Sequence, residues 1–320
     1  MTVALSTPAF KTMDPDYFGK VGLFVGGNNA ERDVSLDGGR AVLAAMQRKH
    51  IQIEMYDGSD ALLKAIFAGR VERVFNLVHG PGGEDGAIQG ALQLMDIPVT
   101  GAGLLGSALS MDKVHSKWIW EQQGISTPPF RLIKRNDQAT AEFIDGLLEQ
   151  WSPPLFVKPA GLGSSIGISK VEQADELPAA ISLAHEYSET AIVEPEVKGK
   201  EYFAGIVGEL VLPLIRIETP RAFYDYTAKY ESDDTRYFCP CGLPAEVEER
   251  LQSLSLAAFQ ALDCSGWGRV DFILDETGKE WFLEANTTPG MTSHSLVPQA
   301  AAQIGLGFDD LVWKILESSL

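Results

Sequence analysis

From residue 20 onward, short apolar runs alternate with longer stretches that repeat at helical spacing. The run 21–25 (VGLFV) leads through a polar loop into a helix-like pattern that continues to Arg48. Further strand-like runs stand at 51–56, 71–78 and 98–100, with helical stretches at 60–68 and 86–95. Strands that alternate with helices predict a parallel sheet of βαβ units. Asp112 stands where it would cap a helix ending near Gly124, and Thr127-Pro128-Pro129 stops that helix. Residues 130–195 read as strand, helix, strand, glycine-rich loop, strand, helix, strand, a second and smaller α+β unit. Extended runs at 201–207 and 210–217, a polar loop at 219–240, a helix over 244–262, a hairpin over 268–286 and two short helices complete the pattern. Residues 1–19 show no periodicity and read as an extension.

The 320 residues correspond to about two domains at roughly 150 residues each. Lys and Arg number 26 against 44 Asp and Glu, a net charge of −18. So acidic a chain argues against nucleic-acid or anionic-membrane partners, which need a basic footprint. Anionic small molecules stay open, because local Lys, Arg and backbone N–H groups can bind them. The first ten residues lack the basic start and apolar core of a signal peptide. The uncharged stretch 97–111 is too short to span a bilayer and contains Pro98, Gly101, Gly103 and Gly106. Cys239, Cys241 and Cys264 are too few for a disulfide framework, so reduced thiols and a cytoplasmic location are expected. No other Cys or His stands at ligand spacing from Cys239 and Cys241, which argues against a metal there.

The most informative segment is GRVDFILDETGKEWFLEAN, 268–286. Two apolar runs flank Thr277-Gly278 and predict an antiparallel hairpin with a two-residue turn. Counting back from that turn puts Asp271 opposite Glu284 and Arg269 opposite Asn286, all on one face. Facing carboxylates repel unless a cation lies between them. Two carboxylates and an amide oxygen suit Mg²⁺, which shares its shell with water and phosphate. Arg269 beside them suits a second anion or a developing oxyanion. A solvated hairpin face is the plain alternative, and a register slip of one residue would turn Asp271 away.

A short strand, Leu155-Phe156-Val157-Lys158-Pro159, runs into the glycine-rich loop 160–167. A strand lysine beside such a loop is a means of holding nucleotide phosphates. The loop is neither a Walker A motif nor a Rossmann fingerprint, because a β-branched strand follows it rather than a helix. Gly163-Ser164-Ser165-Ile166-Gly167 also fits G-x-S-x-G, with Asp271 and His294 in hydrolase order; that motif requires a helix directly after Ser165. Two more loops, 26–31 (GGNNAE) and 79–86 (HGPGGEDG), follow strands at the carboxyl edge where open parallel sheets bind ligands. Glu31 there has helix capping as its simplest role, and His79 a structural one.

Taken in order, GGNNAERDVSL, HGPGGEDG, SALSMDK, FVKPAGLGSSIG, FYDYTAKYESD, GWGRVDF and LEANTTPGMTSHSLVP resemble the D-alanine–D-alanine ligases of the ATP-grasp superfamily. The resemblance runs from about residue 20 to the end of the chain. It implies a three-domain fold of mixed α/β and α+β class: an N-terminal parallel-sheet, Rossmann-like domain at 20–101 after the 1–19 extension, a central ATP-grasp domain at 102–194, and a C-terminal one at 195–320 with a mobile loop near 219–240. It implies that ATP lies between the last two domains. Lys113, Lys158 and Lys229 then match residues at its phosphates, Ser164 and Ser165 the glycine-rich loop over it, and Glu194 and Glu201 the adenine and ribose. Asp271, Glu284 and Asn286 match ligands of two Mg²⁺ ions, with Mn²⁺ as a substitute. Glu31 matches the acid that holds the first D-alanine's ammonium, with His79 close by, and Ser164 and Tyr230 link Glu31 to the mobile loop. Arg269, Gly290, Ser295 and Leu296 match groups at the oxyanion and the second substrate's carboxylate. The implied activity is ATP-dependent synthesis of D-alanyl-D-alanine through an acyl phosphate, for peptidoglycan precursors, by a homodimer. Thr288, where Ser is frequent, and Pro195 after Glu194 depart from common forms of the family.

Overall fold

The computed structural model describes residues 14–28, 30–137, 140–163, 165–220, 234–292 and 295–320. Ser164, Lys229, Tyr230 and His294, and with them much of the expected 219–240 loop and the 1–19 extension, lie outside the described residues.

Three sheets organise the chain. The first is parallel, in the order β2 (Ile53–Asp57), β1 (Val21–Val25), β3 (Arg73–Asn76). β1 is buried at every position, because helices cover both faces of the sheet. Val21, Leu23 and Val25 meet Val42, Ala45 and Met46 of α1 (Arg32–Arg48). Phe24 faces the other way, toward α2 (Ser59–Phe67) and α3 (Ala87–Leu94). The expected strand at 98–100 contributes only a single bridge, Val74 to Val99. A helix absent from the sequence reading follows, α4 (Leu104–Met111), and then α5 (Lys113–Gln122). Asp112 caps α5 as expected, accepting from Val114 N and His115 N at 2.9 and 3.1 Å.

The second sheet is antiparallel, in the order β4 (Arg131–Lys134), β7 (Thr190–Pro195), β5 (Leu155–Pro159), β6 (Ser169–Val171). Leu155, Val157, Ala191 and Val193 pack under α6 (Ala141–Gln150) and α7 (Leu177–Tyr187). Strand alternation sends Phe156, Lys158, Ile192 and Glu194 to the opposite face.

The third sheet runs β11 (Arg236–Phe238), β10 (Ile215–Glu218), β8 (Gly199–Val207), β12 (Trp267–Asp275), β13 (Glu280–Asn286), with the short β9 (Leu210–Val211) beside β8. The run expected at 210–217 is therefore broken in two, and β11 falls inside the stretch read as loop. One face packs on α8 (Ala245–Ala261). The other face supplies Phe203, Val207 and Ile215 to a core shared with β1, α1, α9 (Leu296–Gln303) and α10 (Phe308–Glu317). Ion pairs Arg48–Asp309 at 2.6 Å and Lys49–Asp310 at 2.5 Å fasten α1 to α10.

The β12–β13 hairpin differs instructively from expectation. Its connection is a three-residue loop, 276–278, closed by Asp275 N donating to Lys279 O at 2.9 Å, with Gly278 at φ +82°. Near the loop Phe272 pairs with Phe282, one residue off the expected register. A β-bulge then inserts Leu283, and beyond it Asp271 faces Glu284 and Arg269 faces Asn286. Both Leu283 and Glu284 consequently border the same cavity, although consecutive strand residues otherwise point apart.

Phe282 anchors this irregularity: it is fully buried, with ring centroids 5.5 Å from Phe272 and 6.1 Å from Trp120. Phe282→Ala is expected to lower stability by about 3–5 kcal/mol, the usual cost of such a cavity, measured by denaturant unfolding.

Candidate active site

The second and third sheets turn their open faces toward one another across a cavity of about 620 Å³. Lys158 and Glu194 reach it from the second sheet, Glu201, Asp271 and Glu284 from the third, Lys113 from the start of α5, and Ser165 from the glycine-rich loop. Phe156, Ile168, Ile217, Ile273 and Leu283 make part of its wall apolar. Seven of the residues singled out in the sequence thus border one space, large enough for a nucleotide and polar at one end.

Asp271, Glu284 and Glu194 each have a cationic partner. Arg269 grips Asp271 with two bonds, Nε to Oδ1 at 2.6 Å and Nη2 to Oδ2 at 2.7 Å. Lys113 Nζ lies 3.2 Å from Glu284 Oε2 and donates to Leu162 O at 2.6 Å. Glu194, 2% exposed, is held between Lys158 at 2.6 Å and Lys117 at 2.7 Å. Burial alone would raise the Glu194 carboxyl, but the two ammonium groups outweigh it and hold it at about 2. Burial draws Lys117 down to about 8, which leaves it charged at neutral pH.

Asn286 borders a small adjoining pocket with Glu84, Ser110, Lys113, Glu284 and Thr287. Its Nδ2 donates to Asp271 Oδ2 at 3.3 Å, and half a turn of the amide presents the oxygen instead. Among the described residues no three His, Cys, Asp or Glu side chains gather as a metal cluster. A cation at the hairpin would therefore rest on two carboxylates and an amide oxygen, completed by water and phosphate. That donor set fits Mg²⁺.

The first sheet contributes a different corner. Glu31 immediately precedes α1 yet makes no side-chain cap, so the simple capping role does not hold. Its side chain is 9% exposed. His79 follows β3 and donates from Nδ1 to Thr288 O at 2.7 Å. Burial pulls its imidazole down, partly opposed by Glu31, so the ring is neutral. Glu84 accepts from Thr288 N at 2.9 Å and Gly80 N at 2.7 Å, and Asn76 Nδ2 lies 3.3 Å from Thr288 Oγ1. Burial, then the charge of Glu31, push Glu84 up to about 8. Thr288, noted as unusual in the sequence, is thus held at N–H, carbonyl and hydroxyl by the first sheet's loops. Beyond it, a Cβ on Gly290 would come 2.8 Å from Ser295 Oγ, while Leu296 is buried in the shared core.

Sequence reasoning missed Lys117, Glu84 and Asn76. Lys117 stands four residues after Lys113 on one helix, a spacing that puts both on the same side; Glu84 lies inside a quoted motif. The hydrolase alternative fails, since the residues after Ser165 lead into strand β6. Cys239 and Cys241 are free, and burial pushes both thiols up to about 11.

Two facing antiparallel sheets around a lysine- and carboxylate-lined cavity, after a parallel-sheet unit, define an ATP-grasp enzyme. The family description "D-ala D-ala ligase C-terminus" matches residues 119–317, and "D-ala D-ala ligase N-terminus" matches 58–102. A D-alanine--D-alanine ligase of Burkholderia ambifaria (strain MC40-6) is 48% identical over 309 residues, covering 96% of this chain and 98% of that protein. The crystal structure of VanG D-Ala:D-Ser ligase from Enterococcus faecalis is similar at TM-score 0.82 and 33% identity, over 94% of this chain and 99% of that one. That of the D-alanine--D-alanine ligase from Bacillus anthracis complexed with ATP gives 0.81 and 30%, over 94% and 97%. The chain belongs to the D-alanine–D-alanine ligase family.

The Glu194 ion pairs imply a pH dependence. An unfolded Glu titrates near 4.5 and the folded one near 2, so their stabilisation is complete above about pH 4.5 and is lost as pH falls toward 2. Across that window the unfolding free energy is expected to drop on the order of 2–3 kcal/mol more for the native chain than for Glu194→Gln. Equal slopes in acid-range denaturation curves would contradict the pairing.

Proposed function

We propose that the chain joins two D-alanine molecules at the expense of ATP, giving D-alanyl-D-alanine, ADP and phosphate for peptidoglycan precursors in the cytoplasm. The observation that carries this reading is the convergence of Lys113, Lys158 and the Asp271–Glu284 pair on one cavity, in a chain whose relatives are D-alanine ligases throughout their length. The division into units at 20–101, 102–194 and 195–320 is proposed with it.

A carboxylate is a poor electrophile, so activation precedes amide formation. Glu31 holds the ammonium of the first D-alanine and sets its carboxylate toward the γ-phosphate. Lys113 and Lys158 neutralise the charge that moves as the phosphoryl group passes to that carboxylate. Asp271, Glu284 and Asn286 would hold Mg²⁺, whose charge would add to that neutralisation. The amine of the second D-alanine then attacks the acyl phosphate's carbonyl. Arg269 and the Gly290 N–H stabilise the oxyanion, and phosphate leaves. Ser295 and the N-terminus of α9 receive the second substrate's carboxylate.

D-Alanine as second substrate is the finer part of the reading, because one similar structure is a D-Ala:D-Ser ligase. In an ADP-release assay, strong turnover is expected with D-alanine and little with D-serine or D-lactate; turnover with D-lactate alone would overturn the assignment. Asp271→Asn should lower kcat by a factor on the order of 10² or more, as a metal contributes several kcal/mol.

A homodimer is proposed through α3 and the start of α4. Leu94 is 90% exposed there, and Leu104 and Leu105 are exposed beside it. Light scattering is expected to give a dimer mass that Leu94→Asp reduces.

A further inference from the structure

The parallel pairing of β1 with β3 has an interrupted rung at its carboxyl end. Phe24 pairs with Asn76, and Leu77 N donates to Phe24 O at 2.9 Å. The evenly spaced bonds of a parallel ladder would next run from Gly26 N to Leu77 O. A side chain stands in that place instead. Gly26 N donates to Ser35 Oγ at 2.9 Å, and Ser35 Oγ donates to Leu77 O at 2.6 Å. Two bonds meeting at a hydroxyl hold the amide and the carbonyl about 1.5 Å further apart than one direct bond would. Ser35 is 1% exposed, and its single proton is committed to Leu77 O, so this wedge has one orientation.

Its place in the sheet matters. In the strand order β2-β1-β3, the gap between β1 and β3 is where the crossovers leave in opposite directions, the crevice at which open parallel sheets take ligands. Glu31 lies on one side of it, one helical turn before Ser35, whose N–H donates to Glu31 O at 3.0 Å. His79 lies on the other, two residues after Leu77, with its Nδ1 on Thr288 O at 2.7 Å. The charge of Glu31 reaches the His79 ring across the gap. Arg32 also holds the Glu31 loop, through Asp57 at 2.6 Å and Gly27 O at 3.2 Å, but that pair is about half-exposed and water screens it. The buried wedge is the firmer constraint.

We infer that Ser35 is a positioning residue for the first amino-acid substrate: its hydroxyl, spliced into the β1–β3 ladder, sets the opening between the loop that carries Glu31 and the loop that carries His79. The inference rests on the proposed reaction, in which Glu31 holds the ammonium of the first D-alanine. Without the hydroxyl, Gly26 N and Leu77 O can bond each other and continue the ladder, so the opening narrows while both backbone groups stay satisfied. That separates two roles of a buried serine. A hydroxyl that only satisfied the two groups is dispensable once they pair directly. One that spaces them is not, because the substrate's acceptor moves with the loop.

The test uses full-length protein. Ser35→Ala should raise the KM of the first D-alanine, fitted apart from the second, about tenfold, the size of one hydrogen bond to a charged group. The KM for ATP and the kcat at saturating D-alanine should stay within about twofold, the pattern of lost substrate binding alone. Melting should stay cooperative, and the Gly26 amide should stay protected from hydrogen exchange, now by Leu77 O. Ser35→Thr, which keeps the hydroxyl, should restore most of the native KM. Adding Ser35→Ala to Glu31→Gln should raise that KM no further, since Ser35 acts through Glu31. An unchanged first-substrate KM in Ser35→Ala overturns the inference, as does equal impairment of Ser35→Thr. So does a Ser35→Ala protein whose Gly26 amide exchanges freely or whose melting loses cooperativity, because the hydroxyl is then a support and not a spacer. A native chain that releases no ADP with D-alanine would sink the ligase reading instead, and exchange at Gly26 would still decide whether the ladder closes without the hydroxyl.

Discussion

Carboxylates gathered in a cleft repel one another and any triphosphate that shares it, and the interior of this protein is arranged around that repulsion. Net charge is −18, yet Asp271, Glu284 and Glu194 each stand beside a cation. Asp271 is gripped by Arg269, Glu284 by Lys113, and Glu194 by two lysines from different elements. These pairs cost desolvation, so they are weak sources of stability. What they provide is a set of fixed charges that can be re-partnered. A phosphate can take a lysine from a carboxylate, and a metal ion can take the carboxylate in turn.

The bulge at Leu283 serves the same arrangement geometrically. Without it, Glu284 would follow Leu283 onto alternate faces, and the cavity would have either an acid or an apolar wall at that point of the strand. One extra residue gives both. The apolar side chain and the acidic one then address different parts of one ligand from neighbouring positions.

Much of this was readable in the sequence, for physical reasons that differ between segments. β1 is legible because burial on both faces demands an unbroken apolar run, and α5 because Asp112 is a strong cap. The pairing of Asp271 with Glu284 is also correct from the sequence, but the expected two-residue turn is not. The actual loop shifts the register by one and the bulge shifts it back, two irregularities without a signature in alternation alone. α4 is hidden by glycines and small residues whose apolar pattern is faint. Lys117 is illegible because its partner, Glu194, lies on strand β7, far along the chain, and is brought near helix α5 only by the fold.

The first and third sheets share a core: Val21, Leu23 and Phe75 belong to the same apolar cluster as Phe203, Trp267 and Leu311. The second sheet packs chiefly on its own helices. Separating the outer two would expose that common interior to water, whereas displacing the middle one would open only the smaller apolar contact of Ala160 and Ile192 with Val114 of α5. The molecule is in this sense two bodies rather than three, a jaw set between the ends of a single frame. The chain enters and leaves the second sheet near 126–130 and 195–199, so those two short segments are the covalent ties between the jaw and the frame.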